Sequence, residues 1–579
     1  MTSLFKTPIR SIQRHGISAA VYVLLLLVVV YPIGRLFLSA FQTSRPGKES
    51  IWTLVNFSSL LSSRAFVDAL KNTILISVEA VLISTALGVL LAWAIARTDM
   101  PFKKFLEPLN MIPFYLSNLV IALSWEMLAA PKTGILNRLM ISLFDLGAPP
   151  FNIYSITGIS MVVGLAYTPY VYLLTVGSLQ NMDPALEDAA RMSGASTVRT
   201  MLKITLPLAA PAILSSMILV FILTAGIFGV PMVLGTSVRV NTVSTQIYNQ
   251  INLYPPSYNG AAALSSVLLI FTVFLVFVQH KILGRRRFYT VTGKGFRPRL
   301  IVLGRWRWAA LGINLIYLGV ILMPFMTMIT ISFLPGWTGE IKLSQFGLDN
   351  YRTVLFVNAI TQRGFGNSVI ISLLGATLGL GIFALLAAMI HRTKLPGRSG
   401  ISFVAMLPVT FPGIVLGTGF LIAWISTPLY GTLWILMLAY IVAFMPVGVR
   451  SMEASLGSIA PDLDESARVS GARWFGALRR ILLPLMWPGL VSTWLLLFVT
   501  FMREVSSSMM LYVFGTETIS IALIGIMQYE TLGASAAFGG LQTLIILFAV
   551  FFFRKLSSMG GIGVASTQKA RQTIEPGLG

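Results

Sequence analysis

The ionisable side chains that stand out within long apolar runs are Glu79, Glu126, Arg503 and Glu504. A charge at the centre of a bilayer costs about 3 kcal/mol, so one kept there marks a route for a polar solute or a pair that locks helices together. Asn72 and Asn367, at the starts of two apolar runs, are weaker candidates of the same kind. Other chemistry is not assembled. The chain has no cysteine, which excludes disulfides, thiolate metal sites and a cysteine nucleophile. His15, His280 and His391 are far apart and share no metal-ligand spacing. The nearest approach to a phosphate-binding loop, Thr292-Gly293-Lys294-Gly295, lacks the hydroxyl residue and the spacing that such a loop needs. No serine–histidine–aspartate set stands out, so no catalytic residue and no cofactor of the chain's own is assigned.

The elements that position these charges are membrane helices. Of 579 residues, 56% are hydrophobic and only 11% charged, against about 25% charged in a soluble chain. Apolar runs long enough to cross a bilayer recur near 17–41, 70–96, 106–128, 155–179, 207–235, 260–283, 308–333, 366–390, 401–425, 431–449, 484–512 and 535–554. The fold class is therefore an all-α polytopic membrane protein with about twelve spans. The first run follows Lys6, Arg10 and Arg14 without a small-residue cleavage site, and is read as an uncleaved span. A net charge of +22 would point to nucleic acid in a soluble protein. Here the bases gather in alternate loops: Arg97, Lys103 and Lys104; Arg191, Arg199 and Lys203; the run from Lys281 to Arg307; Arg392, Lys394 and Arg398; Arg468, Arg473, Arg479 and Arg480; Arg554 and Lys555. Several acids (Glu49, Asp145, Glu340, Glu517, Glu530) lie in the opposite loops. By the positive-inside rule the basic loops and both termini face the cytoplasm, and the partner surface is lipid, not nucleic acid.

One polar loop occurs twice. Gly194 and Gly471, Pro207 and Pro484, and Pro211 and Pro488 are each 277 positions apart. Upstream, Asn72 and Asn367, Arg97 and Arg392, Pro101 and Pro396, and Pro113 and Pro408 stand 295 apart. The offset has dropped from 295 to 277 by Pro169 and Pro446, so the first half carries 18 extra residues, in an outer loop around 131–151. Two homologous six-span halves follow, 1–283 and 308–556, with a basic linker at 284–307 and a tail at 557–579. The first and seventh spans stand apart, each preceding a matched core of five. The intramembrane charges are not duplicated: Glu79 matches Leu374, and Arg503 and Glu504 match Gly226 and Ile227. In the first loop Asp183 is expected to cap a helix that begins at Pro184. Leu186, Ala189, Ala190 and Met192 give that helix a small packable face. Gly194 ends it, and Ser196 or Thr197 starts a second helix that enters the membrane at Leu206-Pro207. Two short helices at an angle make an elbow that a partner's cleft can grip. Phe228-Gly229-Val230-Pro231 and Phe411-Pro412-Gly413 are expected to loosen helices at mid-membrane.

The repeated loop resembles the EAA loop of ABC-importer permeases: acid-Ala-Ala, three residues, Gly, nine residues, Ile, one residue, Leu-Pro. The first copy reads Glu187, then Asp188-Ala189-Ala190, Gly194, Ile204 and Leu206-Pro207. The second reads Asp464, then Glu465-Ser466-Ala467, Gly471, Ile481 and Leu483-Pro484. Asp for Glu in the first copy and Ser for Ala in the second are mild departures. The resemblance covers both halves. It implies the type I ABC importer permease fold and a fused, non-catalytic transmembrane subunit in the bacterial inner membrane. It further implies that the two loops dock two ATP-binding cassette subunits, as a homodimer, which bind the ATP and Mg. A periplasmic or lipid-anchored substrate-binding protein would deliver the solute.

Phe228-Gly229-Val230-Pro231 with Leu234-Gly235, and Arg503-Glu504-Val505-Ser506-Ser507-Ser508 with Leu511-Tyr512, are similar to stretches of ferric-iron permeases. That resemblance implies ferric iron as the substrate, with Glu79 and Glu504 as transient contacts, since carboxylate oxygens suit a hard cation. Carboxylates also hold amines, and permeases for thiamine and aminoethylphosphonate share the fused layout, so those solutes and polyamines remain alternatives. A secondary transporter driven by an ion gradient is the alternative of another class. The two repeated loops and the scarcity of intramembrane acids argue against it.

Overall fold

The computed structural model describes residues 16, 18–43, 51–183, 185–284, 300–337, 339, 341, 343–393, 395–457, 459 and 483–572. Among them the chain is helical, with two isolated β-bridges, Gln42 to Trp52 and Thr98 to Ile301. The helices used below are α1 (Ser18–Ala40), α2 (Arg64–Arg97), α3 (Lys103–Tyr115), α4 (Asn118–Ala129), α5 (Ile135–Phe144) and α6 (Ile156–Gln180). They continue as α7 (Ala185–Met192), α8 (Thr197–Ala225), α9 (Gly229–Leu234), α10 (Val243–Asn252), α11 (Tyr258–Gly284) and α12 (Trp306–Ser332). The remainder are α13 (Ala359–Arg392), α14 (Arg398–Thr410), α15 (Gly413–Trp424), α16 (Leu433–Gly457), α17 (Leu483–Met502), α18 (Ser506–Leu511), α19 (Ile519–Tyr529) and α20 (Leu532–Phe552).

Ten of the described helices are long and apolar enough to cross a bilayer, and twelve spans result if α3 with α4, and α14 with α15, each count as one. Those two pairs are bent by 100° and 111°. The bends fall at Leu116-Ser117 and at Phe411-Pro412, and Ser117 and Pro412 are 295 positions apart, so the break is part of the duplicated plan. Pro412 supplies no N–H and pushes Phe411 into extended backbone, which ends α14 there. A second pair of breaks separates α8 from α9 at Gly226–Phe228 and α17 from α18 at Arg503–Val505. Gly226 and Arg503 are 277 apart. The break expected at Phe228–Pro231 thus lies slightly upstream, at Gly226–Phe228, and Gly229–Pro231 open α9.

Long helices in this fold bury small and polar residues and expose branched ones. On α2 the buried face holds Thr73, Ser77, Ala80, Ser84 and Gly88, and the exposed face Val67, Ile74, Val78 and Leu82. With lipid as the solvent, close backbone approach drives packing, and small residues permit it. Gly88 lies against Val171 of α6, where an added Cβ would come within 2.7 Å of the valine Cβ. Gly164 of α6 is pressed as closely against Ile83.

The chain forms two compact units. One comprises Met1–Leu38, Gln362–Ala522 and Gln542–Gly579; the other comprises Ser39–Thr361 and Leu523–Leu541. In the first, α1 sits with second-half helices: Tyr31 meets Trp424 edge-on, and Gly419 faces the Pro32 carbonyl. In the second, α12 packs on α4, and Gly539 lies near Met328, Val120 and Leu123. Each unit thus takes from the opposite half one of the two spans outside the matched cores, and the second unit takes Leu523–Leu541 as well. The extra residues of the first half fold as α5 and its flanks. Buried Asn137 organises them by donating to the carbonyls of Ala129, Ala130 and Phe151 at 2.9–3.1 Å and accepting from the Phe151 N–H at 3.0 Å.

Candidate functional site: the repeated loop and the intramembrane charges

The first repeated loop has the expected elbow. Asp183 accepts from the Ala185 N–H at 2.9 Å, as a cap does, and α7 runs to Met192. Gly194 then takes a φ of +81°, which only glycine adopts without strain, and nothing crowds its missing Cβ. The Ala195 N–H reaches back to the Ala190 carbonyl at 3.0 Å, closing the turn. Ser196 caps α8, which passes through a π turn at Met201–Thr205 before continuing past Pro207. Ile204 lies half-buried in that turn. On the outside of the elbow, Leu186, Ala189, Met192, Val198 and Leu202 are exposed, Met192 by 90%. Asp188 and Ala190 are half-buried.

Glu187 points the other way. It is buried and accepts two side-chain hydrogen bonds, one from the Arg97 guanidinium and one from Thr205 Oγ1 at 2.6 Å. Arg97, the last residue of α2, has no exposed surface, and its second amino group faces the Leu179 carbonyl at 3.5 Å. A buried guanidinium is tolerable because it is paired; removing either partner of such a pair typically costs about 3–5 kcal/mol. Glu187, expected on the docking face with Asp188, thus faces away from it into a pair that its sequence neighbours do not reveal. The signal was present: a base recurs at Arg97 and Arg392, and an acid at Glu187 and Asp464.

Of the second loop, Asp464, Glu465, Ala467, Gly471 and Ile481 lie outside the described residues, and Pro484 is the second residue of α17. The approach to that loop repeats the first. Arg392 donates to the carbonyls of Leu456 at 2.7 Å and Ile459 at 2.6 Å, and Leu456 stands 277 positions after Leu179. A feature without a first-half counterpart lies beside it: Glu453 pairs with Arg450 at 2.8 Å and His391 at 3.1 Å.

The intramembrane charges are placed individually. Glu79 is half-buried on α2, with one carboxylate oxygen buried and unpartnered. Glu504 lies in the break between α17 and α18. Its Oε1 accepts from the Ser507 N–H at 3.1 Å, while Oε2 is buried without a partner. Ser507 Oγ donates to the Gly413 carbonyl at 3.1 Å, and Tyr440 bonds Ser508, so the carboxylate sits in a fixed frame. Arg503 is half-buried in the same break. Glu126 accepts from the Tyr154 hydroxyl at 2.9 Å, which ties α4 to the segment preceding α6. Among the described residues no three His, Asp or Glu side chains gather into a metal site.

The two asparagines brace loops. Asn72 donates to the Asn241 carbonyl at 2.9 Å, and Asn367 to those of Gly515 and Glu517 at 3.0 and 2.9 Å. Beside Asn367, Arg363 clasps Glu517 through two bonds of 3.1 Å. Burial alone would raise the Glu517 carboxyl, but Arg363 and the Gly515 N–H outweigh it and hold it below the usual carboxylate range.

The sequence pattern described as "Binding-protein-dependent transport system inner membrane component" matches residues 84–289 and 381–558, once in each half and over more than half of the chain. A ferric transport system permease protein of Actinobacillus pleuropneumoniae is 26% identical over 561 residues, 93% of this chain and 77% of its own. An Fe(3+)-transport system permease protein of Haemophilus influenzae is 24% identical over 508 residues, 86% of this chain and 91% of its own. A sulfate transport system permease protein of Salmonella typhimurium is 25% identical over 251 residues, 43% of this chain and 85% of its own, so one half here spans most of a separate permease. With the family pattern present twice, the elbow loop and the duplicated breaks in place, the chain belongs to the inner membrane components of binding-protein-dependent transport systems, as a fused two-half permease.

Proposed function

We propose that this chain is the membrane passage of an ATP-driven importer for ferric iron, and that it performs no chemistry of its own. The elbow at Asp183–Pro207 carries this reading: it presents exposed apolar residues on a polar loop, a surface that needs a partner. Two ATP-binding subunits with their ATP and Mg grip this elbow and its second copy from the cytoplasm, where both termini also lie. A binding protein on the opposite side delivers the solute. Nucleotide-driven closure of the ATP-binding subunits moves the loops they grip and exposes the route outward; hydrolysis reverses it. Likeness to ferric permeases over 93% of the chain favours iron. The unpartnered oxygens of Glu79 and Glu504 are the ligands such a cation would meet on its way.

The test is ATP hydrolysis by the whole complex in proteoliposomes, with binding proteins loaded with ferric iron, thiamine, aminoethylphosphonate or a polyamine. Stimulation by the ferric-loaded protein alone is expected. Stimulation by an organic ligand alone would remove iron and leave the importer standing.

A further inference from the structure

The buried Glu187 joins three elements that must otherwise move separately. Arg97 brings the end of α2, Glu187 the elbow helix α7, and Thr205 the π turn through which α8 leaves the elbow. The backbone of Arg97 is itself held. Ile301, at the end of the inter-half linker, donates its N–H to the Arg97 carbonyl at 2.7 Å and accepts from the Asp99 N–H at 3.1 Å. Asp99 Oδ1 accepts from the Leu303 N–H at 2.9 Å. Arg97 therefore cannot follow the elbow by sliding along α2: its main chain is strapped and its side chain is enclosed. The π turn matters for the same reason. Its wider winding coincides with the placement of the Thr205 hydroxyl on the inner face, against a carboxylate 18 positions earlier.

We infer that Arg97, Glu187 and Thr205 form a joint that makes the elbow and α2 one rigid body, so that displacement of the elbow is delivered to the membrane helices instead of being lost in the loop. The inference rests on the elbow's being the docking surface of the ATP-binding subunits. These are positioning residues; none touches the solute. A flexible loop with the same exposed face would bind the partner equally well and transmit less, since coupling needs an element with discrete, shared positions.

Two readouts separate this joint from the docking reading. The chain lacks cysteine, so Met192→Cys, at a position 90% exposed on α7, gives a single site for a spin label. In the isolated permease the label reports elbow mobility without any ATP-binding subunit. In the reconstituted complex, ferric uptake per ATP hydrolysed reports transmission. Thr205→Val removes only the hydroxyl, Thr205→Ser keeps it, and Glu187→Gln removes the charge. Greater label mobility and about tenfold lower uptake per ATP are expected for Thr205→Val and Glu187→Gln, with Thr205→Ser like the parent. Unchanged mobility and unchanged uptake per ATP in Thr205→Val would overturn the joint. If Glu187→Gln does not insert, Thr205→Val decides alone. If no ATP-binding subunit engages the parent chain, the docking reading falls, and label mobility still decides whether the joint exists.

Discussion

Glu504 and Glu187 are both carboxylates in apolar surroundings, yet their partners give them different work. Glu187 is saturated by Arg97 and Thr205 and is therefore a fastening. Glu504 uses one oxygen to cap the turn at Ser507 and leaves the other buried and unused. A buried acceptor without a donor is expensive, and under the proposed function this oxygen is the one a passing cation would meet. Glu504→Gln retains an acceptor for the Ser507 N–H and loses the charge. The expected result is a complex that still assembles and takes up ferric iron about tenfold more slowly, equivalent to about 1.4 kcal/mol. Uptake at the parental rate would leave Glu504 only its role as a cap. Glu126, by contrast, already has the Tyr154 hydroxyl and fits a brace. Adjacent acids in one loop look alike in a sequence; a turn of about 100° per residue on α7 decides that Glu187 faces inward and Asp188 does not.

At two sites the matched helices of the two halves have exchanged which partner is the glycine. In the first half Gly88 makes room for Val171; at the matching positions of the second, Phe383 fills the space and Gly448 makes room for it. The breaks show the same reversal. Gly229 yields to Asn118 in one half, and Gly413 yields to Ser506 in the other. Each pair keeps one small and one larger partner, because the backbone spacing of the duplicated plan is fixed and only one side chain fits between. Gly448→Val should therefore destabilise the protein by about 1–3 kcal/mol through overpacking, and Phe383→Gly by about 3–5 kcal/mol through a cavity. Combining them should recover much of the loss, rebuilding the first-half pair. Thermal unfolding in detergent measures it, and strictly additive losses would show that the two positions do not share one space.

At the scale of the molecule, much was legible from hydropathy and from the two offsets. Apolar runs located the spans, since backbone groups in lipid leave few alternatives to helix. Proline and glycine located two of the four breaks to within a few residues: Pro412 lies in one, and Gly229 directly follows another; Leu116-Ser117 and Arg503–Val505 carry no such signal. The elbow followed from Asp183, Gly194 and Ser196, each of which acts locally. What was not legible depends on partners distant in sequence. Hydropathy says that α1 and α12 are membrane helices, but not that each packs with helices of the other half. Nor does it say that the linker's end is strapped to Arg97. In the sequence Arg97 is one base in a cytoplasmic loop, because a positive-inside signal and a buried ion pair look identical before the chain folds.

The central claim is that the two repeated loops are where ATP-binding subunits take hold. Its most direct measurement is the composition of the complex purified from native membranes in mild detergent, for the parent chain and for Gly194→Asp combined with Gly471→Asp. A side chain at Gly194 cannot hold a φ of +81° without strain, so the elbow should lose its shape while the spans remain. Two ATP-binding subunits per parent chain, and loss of both them and ferric uptake in the folded double variant, are the expected result. A double variant that retains its ATP-binding subunits and transports at the parental rate, or a parent chain that transports alone, would contradict it.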